Sequence, residues 1–455
     1  MDFHSINPTT GQVIATYPVM NVEEALSDVE KCHAAFIEWR RTSFDIRSIY
    51  MKRVAEKLRS EKKSLSLLMT QEMGKPILQA QAEIEKCAWA CDFYAENAEK
   101  YLRWEMVQTD AEKSYIAYEP LGVLLAIMPW NFPFGQVFRA AVPALMAGNT
   151  LVLKHASNVS GCALAIEKIF KEAGFPENVL KTLLITSETA LSLIESPLIQ
   201  GVTLTGSTAA GQSVGAKAGH WLKKCVLELG GSDPYIILED ALLEEAAVLC
   251  ATSRLINSGQ SCIAAKRFIV VESQKKDFED LLVHAMKRTV LGDPLNEYTT
   301  VGPLARFDLR ETLHNQVLES LNKGATCLLG GFIPDGPGSF YPPTVLTNVE
   351  KGMPAYDEEL FGPVAAIISA ADEQEAIQIA NGSSFGLGAA VFTQDLARGE
   401  RIALKEIEAG NCFVNTFVKS DPRLPFGGVK QSGFGRELSH HGLKEFVNCK
   451  TIFIK

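Results

Sequence analysis

The 455-residue sequence has ten cysteines and eight histidines, but no Cys-x-x-Cys pair and no histidines at zinc-like spacing. That argues against a structural zinc site and predicts reduced thiols in a reducing compartment. Long apolar runs are missing too. Leu121 to Trp130 is the longest, only about half of the roughly 18 residues that a membrane span needs, so no transmembrane helix is expected. The opening MDFHSINPTTGQ has no basic segment leading into an apolar one. No secretory signal is read there, and a cytoplasmic location is expected. Basic excess is also absent: 54 acidic against 44 basic residues give a net charge of −10. Nucleic acid and anionic membrane are therefore disfavoured as partners.

What remains is the composition of a globular enzyme, 47% hydrophobic and 22% charged. At roughly 150 residues per domain, the length allows about three domains. Residues 21–105 read as consecutive helices, because Ala25, Val29, Cys32, Phe36 and Trp39 recur at three- and four-residue steps. Gly74-Lys75-Pro76 interrupts them. Cys87 and Cys91 lie one helical turn apart on a face shared with Ile84, a buried helix face rather than a metal site or disulfide.

After Asp110 short apolar strands alternate with helical stretches: strands at 123–128, 150–153, 180–185 and 201–205, helices at 136–147, 158–173, 188–196 and 208–220. That alternation predicts a parallel α/β sheet ending near residue 227. It restarts with strand-like 234–238 and 267–271 and helical 243–257 and 274–289, which predicts a second α/β domain. The tail FVNCKTIFIK (446–455) is strand-like and is expected to pair with KSYIAYE (113–119), offering an edge to another subunit.

Three local motifs bear on chemistry. Gly206-Ser207-Thr208-Ala209-Ala210-Gly211 stands where a strand ends and a helix begins, a place where backbone N–H groups hold phosphate. It is not a triphosphatase loop, since Gln212 replaces the required lysine, and the Rossmann GxGxxG is absent. Gly211-Gln212-Ser213-Val214-Gly215 matches the serine-hydrolase elbow in letters but puts its serine inside the helix, not on the turn. Asn257-Ser258-Gly259-Gln260-Ser261-Cys262 is a polar run that would bring Cys262 to a domain edge, where a thiolate meets substrate. Glu228 lies within apolar VLELGG. Burial there would raise its pKa and suit it to general-base work, although a carboxylate merely paired with a lysine or backbone amide fits the same letters.

Taken together, INPTTG (6–11), PWNFPF (129–134), LVLKHAS (151–157), GSTAAG (206–211), LELGG (227–231), GQSC (259–262), EELFGP (358–363) and PFGGVKQSGFGRE (425–437) resemble the aldehyde dehydrogenase superfamily in order and spacing. The KHAS segment and VKSDPRLPFGG (418–428) are most similar to the compact succinate semialdehyde dehydrogenases. The resemblance implies a Rossmann-type coenzyme-binding domain (1–109 and 123–227), an α/β catalytic domain (228–435) and a small β oligomerisation element (110–122 and 436–455) in a homodimer or homotetramer.

It further implies a small aldehyde substrate, oxidised with NADP or NAD and without a metal. Cys262 would attack the aldehyde, Asn131 and the Cys262 N–H would hold the resulting oxyanion, and water activated by Glu228 would hydrolyse the thioester left after oxidation. Met128, Pro129, Trp130, Lys154, Ser157, Gly206, Ser207, Gly211, Leu229, Gly230, Glu359 and Phe361 would hold the coenzyme. Ser157 stands where NAD-selective relatives often carry a glutamate that repels a 2′-phosphate, which favours NADP over NAD. Arg139, Ser261 and Ser420 would bind substrate, the arginine taking the far carboxylate of succinate semialdehyde. Some such relatives carry a second arginine six residues before the nucleophile; here Ile256 occupies that place. Other short aldehydes, or ester hydrolysis by Cys262 without coenzyme, are the competing readings.

Overall fold

The computed structural model describes residues 2–455. A hairpin of β1 (Asp2–Ile6) and β2 (Val13–Pro18) precedes four helices, α1 (Val22–Trp39), α2 (Phe44–Ser60), α3 (Lys62–Met73) and α4 (Ile77–Tyr101). A capping box starts α1: the Asn21 side chain accepts the Glu24 N–H while the Glu24 carboxylate accepts the Asn21 N–H. Gly74, at φ 78°, ends α3 in the left-handed region, so the break expected at Gly74-Lys75-Pro76 is real. On α4 the side chains of Ile84, Cys87 and Cys91 are buried together.

Next come β3 (Glu105–Met106) and β4 (Lys113–Pro120), then an alternating run. Its strands are β5 (Val123–Met128), β6 (Thr150–His155), β7 (Leu180–Thr182), β8 (Ile199–Thr205) and β9 (Lys224–Glu228). The crossover helices are α5 (Gly135–Met146), α6 (Ser160–Glu172), α7 (Ser187–Leu193) and α8 (Thr208–His220). Strand β7 is shorter than the expected 180–185. Leu183 donates one last bond to Leu153, and the chain then turns so that Thr186 caps α7 through its hydroxyl.

A second alternating run holds β10 (Pro234–Ile237), α9 (Leu243–Leu255), β11 (Arg267–Val271), β12 (Thr326–Leu329), β13 (Thr344–Thr347) and β14 (Val364–Ala370). The rest comprises β15 (Phe385–Gly386), β16 (Gly388–Phe392), β17 (Asn411–Val414), β18 (Val429–Lys430), β19 (Gly433–Phe434) and β20 (Val447–Ile454).

Two sheets dominate, one ordered β19-β9-β8-β5-β6-β7 and the other β12-β13-β14-β11-β10-β16-β17. Within the first, β5 through β9 are parallel; β19 joins antiparallel to β9, with Gly433 opposite Glu228. Val123, Leu124, Leu125 and Ala126 are all fully buried, as expected of a strand covered by helices on both faces. The tail strand β20 pairs antiparallel with β4 along its whole length, Val447 to Pro120 through Ile454 to Lys113.

Candidate active site

Three chain segments converge where the two sheets meet. Glu228 is the last residue of β9, Asn131 follows the end of β5 by three residues, and Cys262 precedes β11 by five. The helix expected over 243–257 stops at Leu255, because Asn257 and Ser258 take left-handed backbone angles of φ 53° and 56°. Their side chains hold the turn. Asn257 Nδ2 donates to the Asn131 carbonyl (2.7 Å) and the Gln260 carbonyl (3.0 Å), and Ser258 Oγ accepts the Gly302 N–H (2.9 Å).

The polar run does not lie open at a domain edge, as its composition suggested. Asn257, Ser258, Gln260 and Ser261 are buried, and only Cys262 reaches 9% exposure. Arg254 Nη2 donates to the Gly259 carbonyl (2.6 Å), and Asn131 Nδ2 to the Gln260 carbonyl (3.1 Å). Lys266 Nζ donates to the carbonyls of Ser261 (3.1 Å), Cys262 (2.8 Å) and Ala264 (3.1 Å). Gly259, at φ 78°, lies directly against the backbone of Gly362 and Pro363; a Cβ there would collide with the Gly362 carbonyl.

The carboxylates beside this loop are treated differently. Glu228 is buried, and neither of its oxygens has a hydrogen-bond partner among the described residues; the same holds for both oxygens of Glu437 and for Asn131 Oδ1. Arg139 Nη2 stands 2.6 Å from Glu437 Oε2 and 3.6 Å from Glu228 Oε2, an ion pair without hydrogen-bond alignment. Burial pushes the Glu228 carboxyl well above its ordinary range, with Arg139 opposing and Glu437 adding to the rise. Burial and the nearby Glu228 also raise the Cys262 thiol, against the pull of Arg139 and Lys266. For Arg139, burial disfavours the charge, but Glu437 and Glu228 outweigh it and keep the guanidinium cationic.

A cavity of about 300 Å³ opens on Cys262. Ser261, Arg139, Lys86, Ser420, Phe132 and Ile256 share its lining, so the cavity gathers all three expected substrate residues. Asn131 and Glu228 do not line it. Lys86 Nζ donates to Ser420 Oγ at 2.7 Å. Burial and the neighbouring Arg139 push the Lys86 ammonium down to about 8.

Residues 1–452 match the sequence profile of the Aldehyde dehydrogenase family. The chain belongs to that family. This aldehyde dehydrogenase is 48% identical to a probable NADP(+) succinate-semialdehyde dehydrogenase of Synechocystis sp. over 454 residues, covering all of both chains. It is 46% identical to an NAD(P)+ succinate semialdehyde dehydrogenase of Escherichia coli, covering 99% of this chain and 97% of the relative. Among solved structures, the NADP+ complex of succinic semialdehyde dehydrogenase from Streptococcus pyogenes superposes with a TM-score of 0.97, at 37% identity and 99% coverage of each chain.

The residues expected at the coenzyme leave the carboxyl ends of four adjacent strands of this dehydrogenase. Met128, Pro129 and Trp130 end or follow β5, Lys154 and Ser157 lie at the end of β6, Gly206 and Ser207 follow β8, and Leu229 and Gly230 follow β9. The chain reverses direction across the sheet between β5 and β8, and such switch points are where open parallel sheets take ligands. Ser207 caps α8, its Oγ accepting the Ala210 N–H (3.3 Å). Lys154 makes no ion pair among the described residues, and burial alone lowers its pKa. An uncompensated cation near a helix N-terminus suits an anionic phosphate, so these residues fit a dinucleotide.

Two glycines keep backbone surfaces close. A Cβ on Gly230 would come within 2.6 Å of Glu359 Oε2, and one on Gly211 would overlap Leu229. Glu359 Oε1 accepts the Gly231 N–H (3.0 Å), and the rings of Trp130 and Phe361 meet edge to face at 5.7 Å.

Sequence reasoning did not single out Glu437, Lys86 or Lys266. Glu437 closes the motif PFGGVKQSGFGRE, and Lys266 follows the nucleophile by four residues, so position relative to a motif was the available signal for both. Lys86 carried none, being one lysine in a charged helix.

Proposed function

We propose that this enzyme oxidises succinate semialdehyde to succinate, with NADP favoured over NAD. The observation that carries the reading is the single cavity in which Cys262 faces two cations, Arg139 and Lys86, and the hydroxyl of Ser420. A short aldehyde bearing a distal carboxylate matches that arrangement, with its aldehyde at the thiol and its anion at the cations. The names of the Synechocystis and Escherichia coli relatives support the substrate.

In this mechanism the Cys262 thiol first gives up its proton to water, the thiolate sulfur then bonds to the aldehyde carbon, and the former carbonyl oxygen takes up negative charge. Asn131 Nδ2 has one N–H committed to the Gln260 carbonyl and a second that serves the oxyanion. The coenzyme, when bound, supplies the acceptor for the hydrogen and electron pair lost from that carbon, leaving an acyl group on Cys262. Glu228 then accepts a proton from water as the water oxygen bonds to the acyl carbon. The carbon–sulfur bond breaks, succinate leaves and the cysteine is regenerated. A carboxylate with raised pKa and no internal hydrogen bonds is suited to this step, because its basicity is not spent on protein donors.

Ser157 in place of a carboxylate, together with unpaired Lys154, supports the NADP preference. The chain is read as a coenzyme-binding unit (1–109 and 123–227), a catalytic unit (228–435) and an oligomerisation element (110–122 and 436–455) in a cytoplasmic homodimer or homotetramer. Strand β20, paired with β4 alone, supports the last of these. No helix among the described residues is long and apolar enough to cross a membrane. Steady-state kinetics over a panel of aldehydes with both coenzymes tests the proposal. The highest kcat/KM is expected for succinate semialdehyde with NADP; a higher value for an uncharged aldehyde overturns the substrate, and one for NAD overturns the coenzyme preference.

A further inference from the structure

Lys266 is fully buried four residues beyond the nucleophile, which is unusual for a lysine and calls for a reason. Its surroundings supply one. An ammonium has three N–H donors, and Nζ meets three acceptors, the carbonyls of Ser261, Cys262 and Ala264, at 2.8–3.1 Å. Its charge is balanced by Glu359 Oε1 at 3.7 Å. The peptide joining Ser261 to Cys262 is trans, as are all peptide bonds among the described residues. In a trans peptide the carbonyl and the N–H point in opposite directions. Drawing the Ser261 carbonyl to Lys266 therefore turns the Cys262 N–H the other way, and that N–H donates to no protein acceptor among the described residues.

We propose that Lys266 is a positioning residue for the oxyanion: by gathering carbonyls on one side of the nucleophile loop, it presents the Cys262 N–H to the oxygen that becomes charged. This rests on Cys262 as the nucleophile but not on the identity of the aldehyde. Without the ammonium, the buried Cys262 and Ala264 carbonyls lose their donor and the Ser261 carbonyl keeps only the Ala264 N–H (3.1 Å), so the Ser261–Cys262 peptide plane is held less firmly.

The proposal differs from a plain effect of charge on the thiol, and two coenzyme-free reactions of the same sulfur separate them. Acylation by p-nitrophenyl acetate passes through an oxyanion; alkylation by iodoacetamide does not. In Lys266→Met, the acylation rate is expected to fall about 10²- to 10³-fold, the loss typical of one oxyanion donor. Alkylation of Cys262, followed by peptide mapping at matched pH, is expected to stay near the parent rate. Equal losses in both reactions, or no loss in acylation, overturn the proposal. If Lys266→Met does not fold, Lys266→Arg keeps the charge while altering the three-pronged fit, and its acylation is expected to suffer more than its alkylation; equal effects again overturn it. Cys262→Ala serves as the separate control: acylation that survives this change refutes the nucleophile assignment itself.

Discussion

The nucleophile loop and the carboxylate cluster beside it are both buried, yet they treat hydrogen bonds in opposite ways. In the loop the carbonyls of Gly259, Gln260, Ser261, Cys262 and Ala264 each accept from a side chain. In the cluster both carboxylates, Glu228 and Glu437, keep all four oxygens without a hydrogen-bond donor, with only the misaligned Arg139 between them. Leaving a buried polar group unpaired costs about 1–3 kcal/mol, more for a charge. A satisfied region holds geometry, whereas an unsatisfied one keeps its capacity for a transient partner such as water or substrate.

The sharpest way to break this contrast is to remove the basicity of the cluster while keeping its shape. Glu228→Gln is expected to lower kcat about 10²- to 10⁴-fold, and the acyl group on Cys262 should accumulate and appear by intact-mass spectrometry. Because burial raises the Glu228 pKa, the carboxylate form exists only toward higher pH. The parent kcat should therefore rise with pH, and the variant should lose that limb. Asn131→Ala takes one donor from the oxyanion and is expected to cost about 10²- to 10³-fold in kcat/KM, read with succinate semialdehyde and with an uncharged aldehyde alike.

The two cations of the cavity separate the regions further. Arg139→Leu removes the positive charge beside two buried carboxylates, so it should impair turnover of every aldehyde and raise KM for the acid aldehyde as well. Lys86→Met, which leaves the cluster intact, should raise KM for succinate semialdehyde about 10- to 100-fold, the equivalent of one charge-assisted hydrogen bond at about 1.5–3 kcal/mol. Propanal should be unaffected. Since Lys86 is pushed down to about 8, it loses its charge above that pH. The parent KM for succinate semialdehyde should climb there, and Lys86→Met should abolish the climb. Ser157→Glu, outside both regions, is expected to shift the NADP-to-NAD preference by about tenfold through like-charge repulsion; an unchanged ratio removes Ser157 from coenzyme choice.

Much of this was legible in the sequence because it is written locally. Strand 123–128 and helix 208–220 appear at their expected bounds, since apolar runs and a Ser207 cap are signals carried by neighbouring residues. Cys262, Glu228 and Asn131 stood out by motif. The partners that set their chemistry did not, because those contacts bridge long stretches of chain: Arg139 meets Glu437 almost 300 positions away, and Lys86 meets Ser420 across 334. Arg139 and Ser420 were expected at the substrate, but nothing near them in the sequence marks Glu437 or Lys86 as their partners. The burial of the Asn257–Ser261 run was hidden for a related reason, since Asn257 Nδ2, Ser258 Oγ and Gln260 Oε1 find their partners in Asn131, Gly302 and Ala305 from elsewhere in the chain.

The contact of Gly259 with the Gly362–Pro363 backbone has a consequence for anyone who would re-engineer this enzyme. It sets the spacing between the segment that carries the sulfur and the segment that carries Glu359 and Phe361, and it does so with a single hydrogen atom as the spacer. A library randomised at position 259 offers no finer adjustment, because alanine, the smallest alternative, already drives a wedge between the two segments. Active clones from such a library should all carry glycine. Useful variation in the distance between nucleophile and coenzyme has to be sought in the residues that support the two segments from behind.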